Sequence, residues 1–190
     1  HRAYMLAALA EGTSRVQSPL FGEDTNATLD AVQALGAEVA VSGDTVTIRG
    51  GNLRAAADVI DCKNSGSSIR MLAGIAAGLA GKTAFTGDDS LCKRPMLPLL
   101  SALEALGAEV EANNGCAPFS IIGPAAGAEV AIQGDISSQF ISALLLGAPL
   151  SPSGRTIRLT TELASRPYVN MTISAMKKHG VEVLETADGF

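Results

Sequence analysis

A chain of 190 residues, 47% of them hydrophobic, can bury roughly 70% of its unfolded surface and needs no disulfide or metal staple. Aromatics are only 4% and Trp is absent, so the core must be Ala, Leu, Ile, Val and Met, with Gly allowing close approach. A net charge of −5 argues against nucleic acid as the main partner, and no apolar run or signal peptide points to a membrane.

The length fits one ordinary domain or a pair of small ones. Cys62, Cys92 and Cys116 form no CxxC pair, and their odd number does not make a disulfide framework. Histidine occurs only at His1 and His179, so no metal site is expected. A reducing cytoplasm is the expected setting. The chain opens at His1-Arg2 without Met and reads as helix at once, which is expected of a piece of a longer protein.

In chain order, residues 3–10 read as a helix that is apolar nearly all round, followed by a strand at 15–17. An amphipathic helix then runs to Gly36, and a strand pair follows at 38–41 and 45–49. After a strand at 59–61 the same order returns: an apolar helix at 69–80, a strand at 83–86 and an amphipathic helix ending at Gly107. Strands at 109–112 and 119–122 close that unit. A third round has a strand at 130–132, an apolar helix at 140–148, a strand at 156–160 and an amphipathic helix ending at Gly180. It finishes with a strand at 182–185 and a turn at Ala187-Asp188-Gly189. The glycines at 36, 107 and 180 lie 71 and 73 residues apart, the mark of an internal repeat. Each amphipathic helix ends at a glycine suited to a C-terminal cap. The expectation is an α/β fold of three βαβαββ units, about 1–51, 52–124 and 125–190, the last incomplete. Helices apolar on all sides are buried on all sides. Packed side by side at the centre, they would point their N-termini to one face.

That arrangement suggests an anion site, because unpaired amides and the helix dipole both favour negative charge at an N-terminus. The stretches ahead of the buried helices fit it. They are His1-Arg2; Asn64-Ser65-Gly66-Ser67-Ser68-Ile69-Arg70; and Gly134-Asp135-Ile136-Ser137-Ser138-Gln139. Asn and Ser cap helix starts, and Gly66 lets a ligand approach the backbone. Ahead of the surface helices stand Lys93-Arg94-Pro95 and Ser165-Arg166-Pro167-Tyr168. Pro suits a first helical turn, and each arginine beside it is free to grip phosphate or carboxylate. Any one of these alone reads as a cap or a solvated charge. Five at repeat-related positions ask for more than capping.

These motifs, together with Leu9-Ala10-Glu11-Gly12-Thr13, Asp24-Thr25 and Gly87-Asp88, resemble the EPSP synthase family, in the family's order over nearly the whole chain. The resemblance covers one of that enzyme's two domains. It implies an α/β prism fold and transfer of the enolpyruvyl group of phosphoenolpyruvate to the 5-hydroxyl of shikimate 3-phosphate, with release of phosphate and no cofactor. By the same resemblance Arg2, Ser137, Ser138 and Ser165 hold shikimate 3-phosphate, Tyr168 lies against its ring, and Gln139 sits between the two substrates. Gly66, with Ser67 in place of the family's usual Thr, lines the phosphoenolpyruvate site, where glyphosate binds in sensitive members. Arg94 grips phosphoenolpyruvate itself. Catalytic acid/base groups are expected from the second domain. Lys63 stands where the family commonly has Gly, Cys92 reads as a bystander, and the family's Lys-Ser pair ahead of His1 is absent. The alternatives are the related UDP-N-acetylglucosamine enolpyruvyl transferase, which the Ser-Ser-Gln motif and Cys92 spacing disfavour, and a non-catalytic phosphate-binding module.

Overall fold

The computed structural model describes every residue, His1–Phe190. The first unit is α1 (Arg2–Leu9), β1 (Gly12–Gln17), α2 (Glu23–Ala34), β2 (Glu38–Ser42) and β3 (Thr45–Gly50). The second is β4 (Ile60–Asp61), α3 (Gly66–Ala76), β5 (Gly81–Thr86), α4 (Leu97–Ala105), β6 (Glu109–Asn113) and β7 (Cys116–Gly123). The third is β8 (Glu129–Ile132), α5 (Ser138–Gly147), β9 (Thr156–Leu159) and α6 (Arg166–Lys178). The sheets are ordered β1-β3-β2, β4-β5-β7-β6 and β8-β9. The strands flanking a buried helix, β4 with β5 and β8 with β9, run parallel, and the remaining pairs are antiparallel hairpins or returns. No helix is long and apolar enough to cross a membrane.

One core of aliphatic side chains fills the space between sheets and helices, with Phe85 and Phe119 in tilted contact at 5.4 Å as its aromatic seam. Cys62 belongs to this core. Burial, with the Asp61 charge a smaller cause, pushes its thiol up to about 12.

Helix α3 packs most closely against α5, and α5 in turn against α6. The two central helices touch backbone to backbone. A Cβ on Gly74 would lie 2.0 Å from the Ala143 carbonyl oxygen, and one on Gly147 would lie 2.2 Å from that of Gly74. Glycine is needed at both places because the neighbour is main chain and cannot swing away. The trio of buried helices is realised unequally, since α1 makes its main contacts with β3, α2, α6 and β1.

The third unit departs from expectation at 182–185, which form no strand. A strand needs a hydrogen-bonding partner, and residues 188–190 occupy the free edge of β9 instead. Ile157 donates to Phe190 O at 2.7 Å and Leu159 to Asp188 O at 2.7 Å, leaving 182–185 without an edge to pair with.

Two outcomes follow from this packing. Gly74→Ala forces main chain apart and should lower unfolding free energy by about 2–3 kcal/mol, seen as a lower urea midpoint at unchanged slope. Thiol labelling of the native protein at pH 8 should consume Cys92 and Cys116 and spare Cys62 until the protein unfolds.

Candidate anion-binding site

The N-terminal ends of α1, α2, α3, α5 and α6 meet on one face. His1 Nδ1 lies 2.6 Å from Thr28 Oγ1, and Thr28 Oγ1 lies 2.6 Å from Ser68 Oγ, joining the first three helices. Gln139 Nε2 donates to Ser67 Oγ at 2.9 Å, joining α5 to α3. Arg2 Nη2 donates to Tyr168 O at 3.3 Å, joining α1 to α6.

Helix α3 begins as its sequence dictates: Ser65 Oγ accepts the Ser68 amide at 3.2 Å, and Gly66 opens the first turn. A Cβ on Gly66 would lie 2.9 Å from Arg94 Nη1 and 3.9 Å from Arg70 Nη1, so two guanidiniums flank the space over this glycine. Arg94 follows a 3-10 turn, Leu91–Lys93, and donates to Asn64 Oδ1. Asn64 Nδ2 donates to Asp88 Oδ2 at 2.6 Å, and the Leu91 amide donates to Asp88 Oδ1 at 2.8 Å. The Leu91 amide first, and then Asn64, hold the Asp88 carboxyl below the usual carboxylate range.

Arg70, one turn into α3, donates to Gln139 Oε1 at 2.6 Å and lies 5.4 Å from the Phe140 ring centre. Its Nε is buried without a partner. Burial, and then the charge of Arg94, bring the Arg70 pKa below the ordinary arginine value. Gln139 therefore has both ends of its amide engaged, one on Arg70 and one on Ser67.

On the other side of Gln139 opens a cavity of about 460 Å³, lined by His1, Arg2, Ser67, residues 136–139, Ala164, Ser165 and Tyr168. Arg2 reaches it with Nε donating to Thr172 Oγ1 at 2.6 Å, and burial lowers its pKa as well. Ser137 caps α5 by accepting the Gln139 amide at 3.3 Å. Ser138 is 8% exposed, at the first turn of α5. Ser165 takes a left-handed conformation with φ 53° ahead of α6, and Tyr168 is 55% exposed at the rim.

Every residue that the resemblance assigns to substrate binding thus lies in one of two adjoining clusters. Arg2, Ser67, Ser137, Ser138, Ser165 and Tyr168 surround the cavity, Gly66 and Arg94 form the second cluster, and Gln139 spans both. Arg2, Ser67 and Tyr168 come from three different helices, so only the packing of α1, α3 and α6 unites them. Arg166 is the exception among the Arg-Pro signals. It pairs with Glu185 and lines a separate cleft of about 580 Å³, so it is not free to meet a ligand here. Lys63 pairs with Asp61 at 2.6 Å and holds φ 53°, a left-handed conformation that glycine enters more easily. Cys92 Sγ donates to Gly87 O at 3.4 Å and takes no part in either cluster. Thr172 escaped the sequence reading because it falls on the buried stripe of an amphipathic helix, where a polar role has no local signal.

The electrostatics distinguish this face from the rest of the molecule. The ion pairs lie elsewhere, at Arg49–Glu38, Lys63–Asp61, Lys82–Glu111, Arg158 with Glu129 and Asp188, and Arg166–Glu185. Arg2, Arg70 and Arg94 meet hydroxyl, amide or main-chain oxygens and no carboxylate. Three guanidiniums with no carboxylate in contact, beside several helix N-termini, make this face suited to anions.

The EPSP synthase (3-phosphoshikimate 1-carboxyvinyltransferase) family matches residues 1–189. A 3-phosphoshikimate 1-carboxyvinyltransferase of Methanocorpusculum labreanum is 63% identical over 193 residues, covering 100% of this chain and 46% of its own length. One from Halobacterium salinarum is 44% identical over 194 residues, covering 100% of this chain and 45% of its own. The solved EPSP synthase of Acinetobacter baumannii superposes with a TM-score of 0.84 at 29% identity, over 99% of this chain and 43% of that one. The enolpyruvyl transferase NikO of Streptomyces tendae shares the fold, with a TM-score of 0.64 at 18% identity over 97% of this chain and 43% of that one. The chain spans less than half the length of the curated relatives it matches. Its sequence and its fold agree on one conclusion: the chain belongs to the EPSP synthase family.

Proposed function

We propose that this chain is a substrate-binding domain of a two-domain enolpyruvyl transferase, built of repeats at about 1–51, 52–124 and 125–190. The whole enzyme transfers the enolpyruvyl group of phosphoenolpyruvate to the 5-hydroxyl of shikimate 3-phosphate, releasing phosphate. The observation that carries this reading is the set of three arginines without carboxylate partners, Arg2 on the cavity and Arg70 and Arg94 beside Gly66. Both substrates of that reaction are multiply charged anions, and family membership supplies the reaction.

In this reading shikimate 3-phosphate lies in the cavity, its phosphate against Ser137, Ser138 and the N-terminus of α5. Arg2 supplies opposite charge, Ser165 a further hydroxyl, and Tyr168 a flat rim for the ring. Phosphoenolpyruvate lies over Gly66, beside Ser67, held by Arg94, with Arg70 as a second cation. Gln139 stands between them and fixes the distance from the attacking hydroxyl to the enol carbon. Addition of that hydroxyl to C2 with protonation of C3 gives a tetrahedral adduct. Loss of phosphate and of a proton from C3 then restores the double bond. The residues gathered here bind and orient, which lowers the barrier by holding reactants together. The proton-transfer groups are assigned to the part of the relatives that this chain does not span.

In the full-length enzyme, Arg94→Ala should damage phosphoenolpyruvate use far more than shikimate 3-phosphate binding. Removing one partner of a desolvated charge pair costs about 2–5 kcal/mol, or roughly 30- to 4,000-fold in kcat/KM. A solvated arginine that merely precedes a helix would cost under about 0.5 kcal/mol. A change below about threefold in both quantities would place the phosphoenolpyruvate site elsewhere. For the isolated chain, titration with shikimate 3-phosphate or inorganic phosphate should shift the amides of residues 136–139 first. Affinity should be about millimolar, since the open face leaves the charges hydrated. Shifts scattered over the surface would overturn the assignment.

A further inference from the structure

We propose that Asp88 is a positioning residue for Arg94. It acts through the Asn64 amide, which it turns so that a neutral oxygen, and not a carboxylate, meets the guanidinium. The inference rests on the functional reading above and extends it to how the phosphoenolpyruvate cation is held ready.

An ionised carboxylate only accepts hydrogen bonds and a guanidinium only donates them, whereas a primary amide does one at each end. Asn64 stands between the two, with Nδ2 donating to Asp88 Oδ2 at 2.6 Å and Oδ1 accepting from Arg94. Both neighbours dictate the same amide orientation, so neither end is free to turn. Asp88 is itself fixed. Its amide donates to Lys63 O at 2.8 Å, tying the loop to the segment that carries Asn64. Its Oδ1 takes the Leu91 amide, at the start of the 3-10 turn whose far end is Arg94, where the Arg94 amide donates to Leu91 O at 3.0 Å. The main chain and the side chain of Arg94 are therefore set by the same carboxylate.

A carboxylate in direct contact would hold Arg94 as well, but it would also neutralise it and compete with the incoming anion. Placing the carboxylate one residue away keeps the orientation and leaves the charge for the ligand. The other guanidinium over Gly66 follows the same rule, since Arg70 is held by the amide oxygen of Gln139. Neutral amide oxygens thus hold two like charges beside one glycine, with a carboxylate behind the amide only at Asn64.

The experiment uses the full-length enzyme. Asp88→Asn keeps shape but leaves one oxygen to serve both the Leu91 amide and Asn64 Nδ2. The new amide presents its NH2 to Asn64, which turns over and meets Arg94 donor to donor. The expected result is a KM for phosphoenolpyruvate raised roughly tenfold, with Kd for shikimate 3-phosphate and the unfolding midpoint as in the parent. Asp89→Asn removes the same charge one residue away and should leave the KM unchanged. In the Arg94→Ala background, Asp88→Asn should add nothing further, because its effect runs through Arg94. Should Asp88→Asn fail to fold, Asn64→Asp decides, since a carboxylate facing Arg94 must raise the same KM at least as much. A KM within about twofold of the parent in the deciding variant, an equal rise in Asp89→Asn, or full additivity with Arg94→Ala overturns the proposal. If Arg94→Ala itself leaves phosphoenolpyruvate use unchanged, the site assignment fails first, and that result is distinct from a failure of the relay.

Discussion

The contact on which the site depends lies well away from it, where Gly74 and Gly147 bring the main chains of α3 and α5 together. Two helices that touch at their backbones have little freedom to slide, so their starting residues are brought level. Ser67 and Gln139 then meet at 2.9 Å, and Gln139 is carried within 2.6 Å of Arg70. Larger residues at the crossing would separate the axes, and those hydrogen bonds, with little slack, would be lost first. The small residues in these apolar helices are therefore part of the machinery that aligns a polar surface one helix-length away.

Aligning helix starts concentrates positive potential, and arginines added to the same face raise it further. Arg70 shows the cost, since burial and the neighbouring Arg94 both work against its charge and its Nε finds no acceptor. The chain as a whole carries −5, and those acidic groups that form ion pairs do so with other lysines and arginines on outer surfaces. Acceptors offered to the three site arginines are neutral oxygens, which orient a cation without cancelling it. An anion that enters meets charge already aimed, and it need not displace a competing carboxylate. Preorganisation of this kind is stored in the fold and needs no rearrangement when the ligand arrives.

The order of elements was legible in the chain because hydrophobic periodicity is local. Apolar-all-round helices, amphipathic helices with terminal glycines and paired strands each declare themselves within a window of about a dozen residues. Repetition of that order exposed the threefold pattern, and the caps at Ser65 and Ser137 were equally visible, since a cap is satisfied by its own helix. The error at 182–185 has the opposite origin. A strand exists only if another offers its edge, and the edge of β9 is taken by residues 188–190, a competition with no trace in the segment's own sequence.

Residue types and their spacing by themselves determined that this chain builds helix starts rich in anion-holding groups. Only tertiary structure decided which of those groups act together. Arg94 and Arg166 each stand before a proline, yet one turns toward Gly66 and the other toward Glu185, because the fold surrounds them differently. Thr172 becomes a partner of Arg2 only through the packing of α1 on α6, across 170 positions of chain. Asn64 and Asp88, 24 residues apart, become one relay because the loop carrying Asp88 is bonded back to Lys63. Capping and amphipathicity are short-range properties that a sequence states directly. The direction of a long, charged side chain is set by whichever polar group the folded core brings within reach, and that is known only once the chain has closed on itself.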